Sequence, residues 1–225
     1  MALLPQTPFD GEDFFLNGER RLPCVIVADR SGSMSGAKLA SLNDGLDVFS
    51  KAISSDEMAL KRVEAAIVSF GPVKVDQDFA TLDQISMPRL SSGGSTPMGA
   101  AVDKALDLIE ARQATYKANG VPSYTPWIWL ITDGCPTDSW TSAAKRMQAL
   151  DKKGKVMGFG VGVDGADIGC LGQFTARPPV KLKETRFEEM FEFVSKVMST
   201  VTHSRPGEKI GIAKSDVEEF AEFTA

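Results

Sequence analysis

The sequence predicts an α/β protein in which a mostly parallel central sheet carries helices on both faces. Two observations indicate this class. Four short apolar runs lack the alternation of half-exposed strands, and amphipathic helical patterns fall between them. Buried strands that alternate with helices are joined by crossover connections, which make the strands parallel and produce a three-layer sandwich. The carboxyl ends of the strands are then the expected place for a functional site.

The buried strands are predicted where β-branched and aromatic residues concentrate in short runs. These runs cover residues 24–28 (CVIVA), 65–70 (AAIVSF), 127–131 (WIWLI) and 156–161 (VMGFGV). A further segment, residues 73–76 (VKVD), alternates apolar and polar side chains after a Gly-Pro pair. This pattern predicts one antiparallel strand at an exposed edge, turning back from the second run.

Helices are predicted where apolar residues recur at spacings of three and four. The stripes comprise Leu39, Leu42, Leu46, Phe49 and Ile53; Met98, Val102, Ala105, Leu106 and Ile109; Ala143, Ala144, Met147 and Leu150; and Phe187, Met190, Phe191, Val194, Val197 and Val201. Each stripe gives its helix one apolar face to pack on the sheet.

The chain ends are predicted to lie outside the core domain, which we expect over residues 22–204. Residues 1–21 contain prolines and a charged patch and are expected to form an arm on the domain. The tail, residues 205–225, begins with a helix-breaking Pro-Gly pair and then mixes apolar residues with acids. That composition fits a docked or frayed end, or a short helix that binds a partner.

Composition and charge exclude several classes of protein. With 43% hydrophobic and 24% charged residues the chain resembles an average soluble protein, and its net charge of −5 disfavours nucleic-acid binding. No apolar run approaches the roughly 20 residues of a membrane span. The N-terminal sequence lacks the features of a secretory signal, so we expect a cytoplasmic protein with reduced cysteines. The single histidine, His203, leaves little scope for histidine-based catalysis.

Three polar loops follow predicted strands or precede a predicted helix. They are residues 29–33 (DRSGS), 91–99 (SSGGSTPMG) and 132–134 (TDG). Taken singly, such loops are common as turns and helix caps. Together they bring two carboxylates and three hydroxyls to one edge of the sheet: Asp29, Ser31, Ser33, Thr96 and Asp133. Oxygen ligands of this kind suit Mg²⁺, Mn²⁺ or Ca²⁺ rather than zinc.

These residues, in this order on an alternating α/β pattern, resemble the metal-ion-dependent adhesion site of von Willebrand factor type A domains. The resemblance covers residues 22–204 and implies a three-layer Rossmann-like fold. It also implies that Ser31, Ser33 and Thr96 bind one divalent cation, with Mg²⁺ expected first. Asp29 and Asp133 would bind that cation directly or through water. An open coordination position would take an Asp or Glu of a protein partner, so the resemblance implies a binding module and no enzyme.

Within that family the sequence is most similar to bacterial tellurium-resistance proteins of the TerY type. The similarity rests on residues 22–23 (LP), 93–97 (GGSTP) and 132–138 (TDGCPTD). It implies a stress-response role, with a protein kinase and a PP2C-like phosphatase as partners. A scaffold that uses the fold without a metal switch is the alternative among binding proteins.

Enzyme motifs fit less well. Residues 32–38 (GSMSGAK) depart from a phosphate-binding loop in spacing and in the position of the lysine, and no Gly-x-Ser-x-Gly elbow surrounds Ser33. A haloacid-dehalogenase-type phosphatase also carries an aspartate after its first strand. Here Ser31 stands where that enzyme class has its acid/base aspartate. A Mg²⁺-dependent hydrolase of this type is the best enzyme alternative.

Two residues beyond the third loop are candidates for the rim of a partner-binding surface. Trp140 suits an aromatic binding hot spot, or simple packing between helices. Asp138 adds acidity to the rim, or caps the third predicted helix.

Overall fold

The protein contains one seven-stranded sheet in the residues that the computed structural model describes, namely 17–205, 208 and 214–223. The strands are β1 (Leu22–Asp29), β2 (Val63–Phe70), β3 (Lys74–Thr81), β4 (Trp127–Thr132), β5 (Met157–Gly162), β6 (Val180–Leu182) and β7 (Ala221–Phe223). Their order across the sheet is β3-β2-β1-β4-β5-β6-β7. The pairs from β2 to β6 are parallel, and the two outer pairs are antiparallel.

Helices cover both faces of this sheet. They are α1 (Ala37–Ser54), α2 (Glu57–Arg62), α3 (Met98–Ala118), α4 (Thr141–Lys152), α5 (Ile168–Leu171), α6 (Phe187–His203) and α7 (Lys214–Glu218). A short 3-10 helix, Gly32–Met34, lies between β1 and α1. None of the described helices is both long and apolar enough to cross a membrane.

The core divides into two apolar clusters, one on each face of the sheet. On β1, Cys24 and Ile26 pack with residues of α1 and α6, whereas Val25 and Val27 pack with residues of α3 and α4. Every residue of β1 is buried, as is every residue of β2. Burial on both faces explains why these strands read as unbroken apolar runs.

The predicted fold class is confirmed. The four apolar runs correspond to β1, β2, β4 and β5, and the four stripes correspond to α1, α3, α4 and α6. The alternating segment after the Gly-Pro pair is the antiparallel edge strand β3. The short elements α2, α5, β6 and β7 were not predicted.

The C-terminal tail forms a second antiparallel edge. After the five-residue helix α7, strand β7 pairs with β6, and Val217 and Phe220 are buried against the larger apolar cluster. The sequence predicted one antiparallel edge strand, and the structure adds this one at the opposite edge. Most of the predicted N-terminal arm, residues 1–16, lies outside the described residues.

Helices α1 and α6 pack closely together at Gly45. A Cβ atom at this buried position would lie 2.7 Å from Cδ2 of Phe191 and 3.0 Å from Cβ of Phe187. Glycine is therefore required by the close packing of the two helices, although it weakens the helix itself.

We expect Gly45→Val to lower the free energy of unfolding by about 1–3 kcal/mol, because the added side chain forces α1 and α6 apart. Urea denaturation followed by circular dichroism measures the change. Gly18→Val is the control, since nothing lies within 4 Å of a Cβ at Gly18. Equal stability of the two variants would contradict the proposed packing constraint.

Candidate metal centre

Three loops meet at the carboxyl ends of β1 and β4, which are neighbours in the sheet. The loop after β1 is joined to the loop of residues 91–99 by two backbone hydrogen bonds: Gly93 N donates to Arg30 O (2.8 Å) and Gly32 N donates to Gly94 O (3.2 Å). The loop of residues 91–99 is joined in turn to the loop after β4. The three loops therefore form one connected surface at this edge.

Asp29 ends β1 and Asp133 directly follows β4, the neighbouring strand, and both residues are buried. Asp29 is fully buried and accepts hydrogen bonds from Ser31 N (2.8 Å) and Thr132 Oγ1 (2.6 Å). Asp133, 4% exposed, accepts a hydrogen bond from Ser33 Oγ at 2.7 Å. The hydroxyls of Ser31 and Ser33 lie 3.0 Å apart. A continuous line of oxygen atoms thus connects the first loop to the third.

Thr96 occupies the loop that contacts both of the others. Its backbone N–H donates to Oγ1 of Thr137 (3.0 Å), and its carbonyl oxygen accepts from Thr137 N (2.9 Å). The residue is buried, at 8% exposure. The structure therefore brings the loops of all five predicted ligands together, and it links four of those residues through their own hydrogen bonds.

Close backbone approach sets the shape of this edge. Gly71 has a φ of 115°, and a Cβ there would lie 2.5 Å from Gly93 O. Arg30 fastens the first loop to its surroundings by donating to Ser69 Oγ (2.9 Å), Ser91 O (3.0 Å) and Pro72 O (3.2 Å). These contacts hold the predicted ligand residues in place from the side of the sheet that carries β2.

Charge is poorly compensated at Asp29. Burial raises the pKa of the Asp29 carboxyl above its ordinary value; hydrogen bonds from Ser31 and Thr132 lower it in part, and the negative charge of Asp133 raises it again. Two carboxylates in such a place repel each other, and a dication between them relieves the repulsion.

The donor set fits a hard divalent cation. No group of three or more His, Cys, Asp or Glu side chains able to hold a metal ion occurs in the described part of the chain. The candidate site instead combines two carboxylates with hydroxyls, the oxygen chemistry that Mg²⁺ and Mn²⁺ accept. Asp29, Ser31, Ser33, Thr96 and Asp133 are the residues that could hold such an ion.

Sequence reasoning missed two residues of this site. Thr132 ends β4 and donates a hydrogen bond to Asp29. Its position directly before the candidate ligand Asp133 could have indicated this role. Lys38, in the first turn of α1, places Nζ 2.7 Å from Oδ2 of Asp133 and 2.8 Å from Asp164 O. A lysine soon after the first loop was visible in the sequence, but only the fold brings it to Asp133.

The two rim candidates have structural contacts. Asp138 accepts hydrogen bonds from Gly99 N (3.1 Å) and Ala100 N (2.8 Å), so it caps α3, whereas the sequence suggested a cap on α4. Trp140 is half-buried and stacks on Phe174, with ring centroids 5.4 Å apart. Both residues border the third loop, and their part in partner binding stays a prediction.

The architecture and the site geometry together define an α/β domain with an acidic, hydroxyl-rich edge. No family model matches the chain, and no curated protein matches it. Solved structures do match. The von Willebrand factor domain of the type V pili tip protein Mfa5 from Porphyromonas gingivalis superposes with a TM-score of 0.66 at 13% identity. That match covers 85% of this chain and 99% of that one.

Two further structures show the same architecture. The ArnB paralog VWA2 from Sulfolobus acidocaldarius gives a TM-score of 0.54 at 16% identity over 79% of this chain and 45% of that one. The pilus adhesin SpaC from Lactobacillus rhamnosus GG gives 0.65 at 13% identity over 81% of this chain and 31% of that one. The chain therefore has the von Willebrand factor A-type fold. At these identities the likeness concerns the fold alone, and the closer similarity to the TerY type stays a prediction.

We expect Asp138→Ala to lower the free energy of unfolding by about 0.5–2 kcal/mol, because two N–H groups of α3 lose their acceptor. Asp138→Asn keeps one acceptor oxygen and is expected to lose less. Urea denaturation compares both with Asp83→Ala, which removes an exposed carboxylate elsewhere. A loss no larger than that of the Asp83 variant would show that the cap contributes little.

Proposed function

We propose that this protein is a metal-dependent binding module that captures an acidic residue of a protein partner. Asp29, Ser31, Ser33, Thr96 and Asp133 would hold one divalent cation, with Mg²⁺ preferred and Mn²⁺ or Ca²⁺ as alternatives. One observation supports this most strongly: two buried carboxylates at adjacent strand ends are connected through Ser31 and Ser33. The backbone N–H of Ser31 donates to Asp29, the two serine hydroxyls lie at hydrogen-bonding distance, and that of Ser33 donates to Asp133.

The chemistry of the ligands explains how such a site selects its partner. Serine and threonine hydroxyls are neutral, so three of the five proposed ligands add no negative charge to a bound dication. When bound, the cation supplies an electrophilic centre that attracts a further carboxylate. The chain itself orients the hydroxyls through its short loops, and it shields Asp29 from bulk solvent by complete burial. A partner that presents Asp or Glu would complete the coordination shell with a charge-assisted contact.

A hydrolase of the haloacid dehalogenase type gains no support from this site. In that enzyme class a second aspartate, two positions after the first, acts as the acid/base in proton transfer. Ser31 stands at this position, and its hydroxyl lies 3.0 Å from the hydroxyl of Ser33. A serine hydroxyl is too weak an acid to take over the proton transfer, so binding is the function that the geometry favours.

For the biological setting we propose a cytoplasmic bacterial stress-response system of the tellurium-resistance kind. The support is the similarity of residues 93–97 and 132–138 to TerY-type proteins. A protein kinase and a PP2C-like phosphatase are the first partners to test. The fold neighbours include a pili tip protein and a pilus adhesin, which agrees with a role in protein binding.

We expect Mg²⁺ and Mn²⁺ to bind the wild-type protein in isothermal titration, and Asp29→Ala to abolish the binding. Thr96→Val removes a hydroxyl while keeping the shape of the side chain, and it should weaken binding at least about tenfold. Thr96→Ser keeps the hydroxyl and is the matched control. Saturating metal should also raise the stability of the wild type, by about 2.7 kcal/mol at one hundred times Kd. Equal binding by the wild type and Asp29→Ala would reject the site.

Partner capture should depend on the same cation. Immobilised protein should retain a purified partner kinase or phosphatase in Mg²⁺ and release it in EDTA, because the cation supplies the contact to the partner's carboxylate. A column carrying Asp29→Ala should behave as the wild type does in EDTA. Retention that EDTA and the substitution leave unchanged would favour the alternative of a scaffold without a metal switch.

A further inference from the structure

Lys38 places a fixed positive charge on one of the proposed metal ligands. Its Nζ lies 2.7 Å from Oδ2 of Asp133 and 2.8 Å from the carbonyl oxygen of Asp164. The side chain of Lys38 is 27% exposed, and that of Asp133 is 1% exposed. Oδ1 of Asp133 accepts the hydrogen bond from Ser33 at 2.7 Å, so both carboxylate oxygens are engaged by groups of the chain itself.

The position of this lysine is electrostatically unusual. Lys38 is the second residue of α1, and the N-terminal end of a helix carries partial positive charge that disfavours a cation. Its contact with a nearly buried carboxylate offsets that cost. The ammonium therefore compensates Asp133 by a short, directed contact, in the loop cluster where the dication is proposed to bind.

We propose that Lys38 is a tethered competitor of the divalent cation, so that this residue sets the metal affinity of the site. The inference rests on the proposed function of the same site. A cation coordinated by Oδ2 of Asp133 would have to displace the ammonium or share that oxygen with it, and a cation held by Oδ1 would bind against its repulsion. Either arrangement lowers the affinity of the site for the dication, because like charges a few ångströms apart repel strongly away from bulk water.

Competition of this kind couples the occupancy of the proposed metal site to the binding of the partner. In the absence of the dication, the ammonium offsets part of the charge of Asp133 and so reduces, without removing, its repulsion with Asp29. The partner's carboxylate adds a ligand to the dication and thereby favours the dication over the Lys38 ammonium in the competition for Asp133. By linkage, the partner then raises the affinity for the metal as much as the metal raises the affinity for the partner.

The test compares Lys38→Met with Lys38→Arg by isothermal titration of the whole chain with MgCl₂ and MnCl₂. Loss of the charge in Lys38→Met should lower the metal Kd about tenfold or more. Lys38→Arg keeps the charge and should bind as the wild type does. Lys38→Gln is a second neutral variant in case the methionine variant folds poorly. Lys152→Met, which removes an exposed charge at the far end of α4, is the control.

Stability measurements give an independent readout. In EDTA, Lys38→Met should unfold at a lower temperature than the wild type, because Asp133 loses its counter-charge. Saturating Mg²⁺ should raise that temperature more in Lys38→Met than in the wild type. A purely structural ion pair would produce the first effect without the second.

The outcomes separate this inference from the proposed function. If the wild type binds metal and the neutral variants bind no more tightly, Lys38 is not a competitor, although the metal site stands. If neither the wild type nor the neutral variants bind Mg²⁺ or Mn²⁺, the proposed function fails and this inference fails with it. Binding by the neutral variants alone would support the competitor role in its strongest form.

Discussion

Two carboxylates buried at the ends of adjacent strands are the feature on which this edge of the protein depends. Asp29 and Asp133 end up together because β1 and β4 are parallel neighbours, so their carboxyl ends reach the same edge. Buried charges need compensation, and here it comes from hydroxyl and amide donors and from one lysine.

The ion cluster around Glu64 compensates its buried carboxylate in a different way. Glu64, at the start of β2, is as buried as the site aspartates, but it pairs with two arginines, Arg112 at 2.7 Å and Arg21 at 3.5 Å. That carboxylate is compensated within the fold by permanent cations. Asp29 instead receives its hydrogen bonds from neutral groups, and burial raises its pKa. Among the described residues, Glu64 thus has cationic partners, whereas the hydrogen-bond donors to Asp29 carry no charge.

Much of the scaffold could be predicted because its signals are local. Burial on both faces leaves unbroken apolar runs in β1, β2, β4 and β5, and packing on one side leaves stripes in the long helices. The short strand β7 could not be predicted, because three residues carry too little pattern and its pairing with β6 joins segments far apart in the chain. The cap on α3 could not be predicted either, because Asp138 lies far from that helix in sequence. The helix begins forty residues earlier.

The sequence by itself determined the class of fold and the chemical identity of the candidate ligands. The class follows from hydrophobic periodicity, and the candidate ligands belong to short motifs at strand ends. Only the tertiary structure decided which groups compensate the charge of those ligands and which groups hold them in place. Lys38 reaches Asp133 across 95 positions of sequence, and Thr132 reaches Asp29 across 103. Such contacts depend on strand order and helix placement, which arise from the packing of the whole sheet, and local patterns of residues do not encode them.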